Sequence, residues 1–269
     1  MIAILTDVTK CIGCFQCVEA CVRINKLGPE GTPISQDSAD SLSATRWTTI
    51  LRQPDGRYVR KQCRHCLEPA CVSVCPVGAM IKTAPGPVIY DTSRCMGCRY
   101  CMMACPYGIP RYEWDSAVPY VRKCNLCYER VQAGQLPACT EGCSQQATIF
   151  GPREELLAEA RRRLEVEPNK YVQKIYGEHE VGGASVMYIS DVPLELGFRG
   201  YPGQEPMPRL TEVWLNQVPA ISLGLTAVMA GTYWIIKRRM QLTATRAEVN
   251  GPGSAETTTK PAEKDPSDG

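Results

Sequence analysis

The sequence predicts an α+β fold in which two similar modules, related by internal duplication, are followed by one C-terminal transmembrane helix. Three observations lead to this prediction. The 269-residue chain has 16 cysteines, all of them between residues 11 and 143. Their spacing repeats once along the chain, and a repeat of this kind indicates duplicated structural units. An uncharged, mostly apolar stretch at 218–236 is long enough, as a helix, to span roughly 30 Å of hydrocarbon.

The cysteines form four groups of four, and a tight group is followed by a wide group twice. The groups are Cys11, Cys14, Cys17 and Cys21; Cys63, Cys66, Cys71 and Cys75; Cys95, Cys98, Cys101 and Cys105; and Cys124, Cys127, Cys139 and Cys143. Groups one and three have the spacing C-x2-C-x2-C-x3-C, whereas groups two and four have a wider middle gap. Residues 7–14 (DVTKCIGC) also match residues 91–98 (DTSRCMGC), and Pro-Ala-Cys at 69–71 recurs at 137–139.

A two-residue gap between cysteines brings two sulfur atoms toward one metal centre. In two-cluster ferredoxins, C-x2-C-x2-C supplies three thiolates and the fourth cysteine ligates the other cluster. Pro76 and Pro106 follow groups two and three as in that signature, whereas Val22 and Ser144 follow groups one and four. Zinc sites separate two C-x2-C pairs by a long loop, and disulfide frameworks rarely repeat this gap. The spacing therefore favours iron–sulfur clusters, with a zinc-stabilised, membrane-tethered interaction scaffold as the alternative.

The motifs CRHCLEPAC at 63–71 and KCNLC at 123–127 resemble the four-cluster ferredoxin-type subunits of bacterial respiratory complexes. Such subunits occur in membrane-bound formate dehydrogenase, in periplasmic-facing nickel–iron hydrogenase and in related molybdopterin reductases. The resemblance covers about residues 1–240, and YGEHEVGG at 176–183 is more similar to the hydrogenase type. It implies an electron-transfer subunit between a large catalytic oxidoreductase subunit and an integral-membrane cytochrome b or quinone-reactive subunit.

The resemblance also implies which cysteines share a cluster, because group one pairs with group four, and group two with group three, in that family. All sixteen positions are Cys here, so four 4Fe–4S clusters are expected. The implied ligand sets are Cys11, Cys14, Cys17 and Cys143; Cys124, Cys127, Cys139 and Cys21; Cys63, Cys66, Cys71 and Cys105; and Cys95, Cys98, Cys101 and Cys75. The predicted four-cluster domain covers 1–198, with 1–30 and 106–150 as one module, 61–105 as the other, and a hairpin insertion at 31–60.

The sequence offers no independent catalytic apparatus, since no nucleophile–base pair, Gly-rich phosphate loop or carboxylate dyad stands out. The net charge of +2 gives no overall field that would favour nucleic acid. His65, between two cysteines, is a candidate for a cluster or partner contact, and a generic surface or interface role is at least as well supported. Neither His65 nor His179 lies in the apolar stretch, so any haem must belong to a partner. Basic residues near the cysteines could raise a cluster's potential, but a solvated surface or a docking patch is the favoured interpretation for Lys10, Lys61, Arg64, Arg94, Arg99 and Lys123.

Local patterns predict three further elements. The N-terminal residues 1–7 predict a short strand that leads into the first cysteine. β-rich runs at 47–51 and 57–60, around an Asp-Gly turn, predict a hairpin. A surface helix is predicted over 154–166, with its apolar face formed by Leu156, Leu157, Ala160 and Leu164.

The apolar stretch predicts a transmembrane helix over 213–237, after a linker at 199–212 and before a disordered tail at 243–269. Only Arg209 lies close before the span, whereas four basic residues follow it: Lys237, Arg238, Arg239 and Arg246. Because basic residues stay in the cytoplasm, we expect a single-pass protein of the inner membrane with its C-terminus cytoplasmic and its cluster domain periplasmic. The N-terminus shows no export signal, so export with a signal-bearing catalytic partner is expected.

Overall fold

The computed structural model describes residues 1–28, 42–194 and 203–249, which fall into two units, residues 1–212 and residues 213–269. The strands are β1 (Ile2–Asp7), β2 (Thr48–Arg52), β3 (Tyr58–Gln62), β4 (Met80–Lys82), β5 (Val88–Tyr90), β6 (Arg111–Tyr112), β7 (Val121–Arg122), β8 (Thr148–Pro152) and β9 (Val186–Ile189). The helices are α1 (Gln16–Ile24), α2 (Ala70–Ser73), α3 (Tyr100–Ala104), α4 (Tyr128–Gln132), α5 (Ala138–Glu141), α6 (Arg153–Val166) and α7 (Met207–Val249). This mixed content confirms the predicted α+β class and the N-terminal strand.

The first unit contains the same local arrangement twice. β1 precedes the first cysteine group and pairs antiparallel with β8, which follows the fourth group. β5 precedes the third group and pairs antiparallel with β4, which follows the second. After β1 and β5, the side chains of Asp7 and Asp91 accept hydrogen bonds from the backbone N–H two residues on, and each begins a 3₁₀ turn. The matched segments of the sequence therefore build matched local structures.

Each module brings together segments that are distant in the chain. Helix α1, from the first cysteine group, packs against α5, from the fourth. Helix α2, from the second group, packs against α3, from the third. The four cysteine groups are thereby paired in space, one with four and two with three.

A three-stranded sheet extends the first of these pairs. Its strand order is β8-β1-β9, and β9 runs parallel to β1. Helix α6 packs against β1 and β8, and Leu156, Leu157, Ala160 and Leu164 are buried in a core cluster with residues of β1 and β9. The helix predicted over 154–166 and its apolar face are therefore confirmed.

Strands β2 and β3 form the predicted hairpin, which turns at Gly56 with a φ of 84°. Of the predicted insertion at 31–60, residues 29–41 lie outside the described residues. A second hairpin, β6–β7, precedes the fourth cysteine group just as β2–β3 precedes the second. A hairpin therefore occurs at the same place in both halves of the duplication. The two-residue strands of the second hairpin are too short to produce a clear sequence pattern.

Helix α7 is longer than the predicted transmembrane segment. It includes a segment long and apolar enough to cross a membrane, with a mean hydropathy of 1.4. The predicted linker at 199–212 needs correction because residues 207–212 are helical, with Pro208 in the first turn, where proline is tolerated. The predicted disordered tail also begins too early, because residues 243–249 contain neither Gly nor Pro and remain helical. The linker up to residue 202 and the tail from residue 250 lie outside the described residues.

Candidate metal-cluster sites

The tight cysteine groups depend on backbone in the left-handed region. Gly13 and Gly97, between the first two cysteines of groups one and three, have φ values of 71° and 73°, which glycine adopts without steric cost. Phe15 and Arg99 directly follow the second cysteine at φ values of 60° and 63° and precede helices α1 and α3. This double left-handed turn curls each loop around its first three cysteines, while the fourth cysteine lies beyond the turn at or near the end of the helix.

Four cavities in the first unit are each lined by four cysteines, three from one group and one from the paired group. We name them sites A to D, and their cysteines are Cys11, Cys14, Cys17 and Cys143 (site A); Cys124, Cys127, Cys139 and Cys21 (site B); Cys63, Cys66, Cys71 and Cys105 (site C); and Cys95, Cys98, Cys101 and Cys75 (site D). The cavities enclose about 390, 320, 360 and 300 Å³ in the same order, including open space at their mouths. The structure thus brings together the same sets of cysteines that the family resemblance implied.

The sites are arranged in a row because cysteines of successive sites pack together. The pairs that share a core cluster are Cys17 with Cys139 (sites A and B), Cys63 with Cys124 (sites C and B) and Cys101 with Cys71 (sites D and C). The order along the row is therefore A, B, C, D. Site B lies inside the unit, with four buried cysteines, whereas Cys14 of site A is exposed.

Backbone N–H groups donate to several thiols. Ala79 donates to Sγ of Cys75 at 3.2 Å, and Ala147 donates to Sγ of Cys143 at 3.3 Å, at matching positions of groups two and four. Although burial acts in the opposite direction, the backbone N–H groups of residues 77–80 lower the pKa of Cys75. Such donors stabilise the thiolate form, which is the form that binds metal.

At the more enclosed thiols, burial outweighs such donors and the pKa is raised. It raises the pKa of Cys17, Cys71 and Cys101 to about 12, and it raises the pKa of Cys21 and Cys66 well above the usual value. Neighbouring thiols add to the increase, because two thiolates close together repel each other. These cysteines lose their protons only when a metal compensates the charge, so cluster binding and deprotonation are coupled.

The donor set fits an iron–sulfur cluster better than a single ion. All sixteen cysteines are free thiols. Within residues 1–28, 42–194 and 203–249, no group of three or more His, Cys, Asp or Glu side chains is arranged to hold one metal ion. The thiols instead surround a cavity in each site. Four thiolates around a cavity are the donor set of a 4Fe–4S cluster, so the residues present fit that group.

Among the residues that the structure describes, three buried cations line these sites. Arg64 and Lys123 line site C; the guanidinium of Arg64 lies 4.0 Å from the ring centroid of Tyr188, and Nζ of Lys123 donates to the carbonyl of Cys124 at 3.0 Å. The surface interpretation is therefore wrong for Arg64 and Lys123. The third buried cation, Arg60, lines site A. Of the other basic residues and histidines considered above, Lys61 is half-buried and the exposed ones are Lys10, Arg94, Arg99 and His179.

Arg60 is not singled out by its sequence position, because it lies in a hairpin rather than beside a cysteine. On strand β3 it shares a face with Gln62, since side chains two residues apart point the same way. Arg60 lines site A and Gln62 lines site B. The alternation of the strand could have indicated both residues, but only if the buried face of the hairpin had been known.

His65 is fully buried, which corrects its interpretation as a surface residue. It has a φ of 49°, and Nδ1 accepts a hydrogen bond from the backbone N–H of Val88 at 2.9 Å. Burial, together with the charges of Lys123 and Lys82, lowers the pKa of the imidazole well below its usual value. Leu126, at the matching position of group four, is also buried with a positive φ of 56°. His65 is therefore a neutral core residue at a turn that both wide groups share.

Duplicated modules with cavities lined by four thiols define an iron–sulfur protein of the ferredoxin type, a class that transfers electrons. The comparisons agree with this class. Two family models, each described as a 4Fe-4S dicluster domain, match residues 54–153 and residues 10–79.

Curated relatives make the assignment more specific. The chain is 38% identical over 257 residues to a protein of Nitratidesulfovibrio vulgaris strain Hildenborough, covering 90% of this chain and 68% of the relative. It is 38% identical over 234 residues to the hydrogenase-2 operon protein HybA of Escherichia coli O157:H7, covering 72% and 71%. It is 35% identical over 246 residues to the iron–sulfur subunit of the nitrate-inducible formate dehydrogenase of Escherichia coli K12, covering 86% and 82%. The chain belongs to this family of 4Fe–4S oxidoreductase subunits, as the sequence motifs indicated.

Proposed function

We propose that the chain relays electrons through four 4Fe–4S clusters between a catalytic subunit and a membrane cytochrome b or quinone-reactive subunit. The catalytic subunit is of the hydrogenase type or of the formate dehydrogenase (molybdopterin) type. The observation that carries the proposal is the convergence of all sixteen cysteines into four cavities in a continuous row. The relatives support the choice of partner, since one is named for a hydrogenase operon and another is a formate dehydrogenase subunit.

In this proposal the four thiolates of each site hold one cluster, and the cluster supplies one-electron transfer. The chain supplies spacing, burial and local charge. Because one cysteine of every set comes from the paired group, each pair of sites ties two distant segments of the chain together. Loading the sites therefore also stabilises the fold, as metal binding does in other small cysteine-rich domains.

The ends of the row are the expected points of electron entry and exit. At site A, Cys14 is exposed. Around site D, large apolar side chains are exposed next to the cysteine loop, among them Met96, Tyr100 and Met103. A patch of apolar side chains exposed to solvent is typical of a protein–protein contact. We therefore assign partner contacts to the two ends of the row rather than to sites B and C.

The C-terminal helix anchors the cluster domain to the inner membrane in this proposal. The basic residues that follow the apolar segment favour a C-terminus in the cytoplasm, because basic residues tend to stay on that side of the membrane. The single basic residue that closely precedes it, Arg209, is paired with Glu68 at 2.8 Å. The difference in charge between the two ends favours a cluster domain on the periplasmic side.

Metal analysis of the purified membrane complex tests the electron-transfer proposal. We expect about 16 iron and about 16 sulfide per copy of this chain beyond the content of the other subunits, because a 4Fe–4S cluster contains four of each. Cys17→Ala should lower the iron content and change the signal of one cluster. The matched control Ser144→Ala, beside a predicted ligand but not one itself, should leave the content unchanged. Stoichiometric zinc in place of iron would show that the interaction-scaffold alternative is correct.

Protease treatment of intact spheroplasts tests the orientation. With the cluster domain outside, cleavage within residues 200–209 should occur without lysis, while a cytoplasmic marker protein stays intact. Protection of this segment until the cells are lysed would refute the outward orientation. That result would leave the electron-transfer proposal unaffected.

A further inference from the structure

Arg60 lies at the wall between sites A and B. It belongs to strand β3, its side chain is 1% exposed, and it lines site A. Although burial by itself lowers the pKa of Arg60, Cys139 and Cys17 in their thiolate forms raise it above the usual value for arginine. Cys17 belongs to site A and Cys139 to site B, and both pack in one core cluster. Arg60 therefore lines site A beside the wall where a cysteine of site A packs with a cysteine of site B.

This buried charge lacks a conventional partner. Within the described part of the chain, none of the three guanidinium nitrogens has a hydrogen-bond partner, although an ionised Cys139 thiolate would accept one. The described linings of sites A and B contain no carboxylate. A buried, unpaired charge is strongly unfavourable, so a negative group must compensate it. A cluster held by four thiolates carries net negative charge and meets that requirement.

The duplication provides an internal comparison. Arg60 lies three residues before Cys63, the first cysteine of group two, and Val121 lies three residues before Cys124, the first cysteine of group four. Val121 is 1% exposed and lines site D, as Arg60 lines site A. The same position of the repeated unit therefore carries a cation in one pair of sites and an aliphatic side chain in the other. The described lining of site B has no cation of its own, and Arg60 is a buried cation beside the wall where Cys17 of site A and Cys139 of site B pack together.

We propose that Arg60 is a counter-charge shared by sites A and B that raises the reduction potential of the clusters bound at both. The proposal rests on the proposed function, in that it requires a cluster at each site. Reduction adds one negative charge to a cluster, and a fixed cation nearby stabilises the reduced form more than the oxidised form. Because Arg60 acts on both sites, it raises the reduction potentials of the clusters at A and B relative to those at C and D. It changes the difference in potential between A and B less.

Redox titration of the purified complex, followed by electron paramagnetic resonance, tests the role of Arg60. Arg60→Gln should lower the equilibrium constant for reduction of two of the four clusters about tenfold or more, which is about 59 mV for a one-electron couple. The other two clusters should stay within about twofold of the wild type. Arg60→Lys keeps the positive charge and should shift the first two far less than Arg60→Gln does. The matched control Arg52→Gln removes an exposed charge from the same hairpin and should change none of the four.

Unchanged midpoint reduction potentials in an Arg60→Gln variant that holds all four clusters would overturn the proposal. Equal shifts in Arg60→Gln and Arg60→Lys would also overturn it, because the shape of the side chain rather than its charge would then matter. If Arg60→Gln loses the iron of two clusters, Arg60→Lys decides the question. Retained iron in the lysine variant supports the counter-charge, whereas equal loss shows a packing role only. The iron content of the wild type, measured in the same series, tests the four-cluster proposal separately.

Discussion

The crossed arrangement of cysteines predicts how the effects of paired substitutions combine. Cys105 lines site C together with Cys63, although it is only four residues from Cys101, which lines site D. Cys63→Ala with Cys105→Ala removes two thiols from one site. Cys101→Ala with Cys105→Ala removes one thiol from each of two sites. If each single substitution loses one cluster, the first pair should lose about 4 iron atoms per chain and the second about 8.

The iron content of both single and double variants provides the assay, with acid-labile sulfide as a second count. The test does not require that a single substitution empty a site completely. Losses should add for the pair that affects two sites and should not add for the pair within one site, because only changes at independent sites combine additively. Additive losses for Cys63 with Cys105, and non-additive losses for Cys101 with Cys105, would show that Cys105 serves site D and would refute the crossed assignment. In the other module, Cys11 with Cys143 and Cys139 with Cys143 provide the same comparison.

Other substitutions test the loop, the core and the anchor. Gly13→Ala should impair loading of site A, because a φ of 71° disfavours alanine and the new Cβ would lie 2.6 Å from the Tyr58 ring. Gly56→Ala is the matched control, because Gly56 has a similar φ of 84° but lies in open space. It should cost about 1 kcal/mol of stability and leave the iron content unchanged. Tyr171→Phe should lower the midpoint of thermal unfolding by about 4–8 °C, because its 2.9 Å hydrogen bond to the buried Asp7 carboxylate contributes about 2 kcal/mol. Deleting the second unit should release the cluster domain from the membrane fraction, and continued sedimentation with membranes would show another anchor.

The features that the sequence predicts well are those set by neighbouring residues. The spacing of each cysteine group and the glycines at 13 and 97 determine a local turn, so the loops could be expected without the rest of the chain. The helix over 154–166 can also be predicted from local sequence, because its apolar residues repeat with helical periodicity. The pairing of Cys143 with the first group is different. It depends on the packing of α1 against α5, more than 100 residues apart, and was expected only from the family resemblance.

The features that the sequence does not predict depend on contacts between distant segments. Strand β9 is four residues long and is recognisable only through its parallel pairing with β1. His65 has a polar side chain of a kind often found at the surface, yet its left-handed turn places the imidazole against the backbone of Val88. The burial of Arg60 is equally hard to predict, because a charged residue in a hairpin is ordinarily solvated. In each case a partner far along the chain determines the environment of the residue.

The positions of the two hairpins explain how two modules with the same ligand spacing can differ in charge. Hairpin β2–β3 precedes the cysteines of site C, but Arg60 and Gln62 line sites A and B. Hairpin β6–β7 precedes the cysteines of site B, but Val121 and the adjacent Lys123 line sites D and C. Each hairpin therefore contributes to the pair of sites that does not use the cysteine group directly after it, so neither pair of sites is complete without the hairpin that precedes the other pair's cysteines. Because Arg60 and Lys123 come from the hairpin segments and the ligands come from the cysteine loops, a substitution in a hairpin can change the reduction potentials of one pair of sites without any change in cluster ligation.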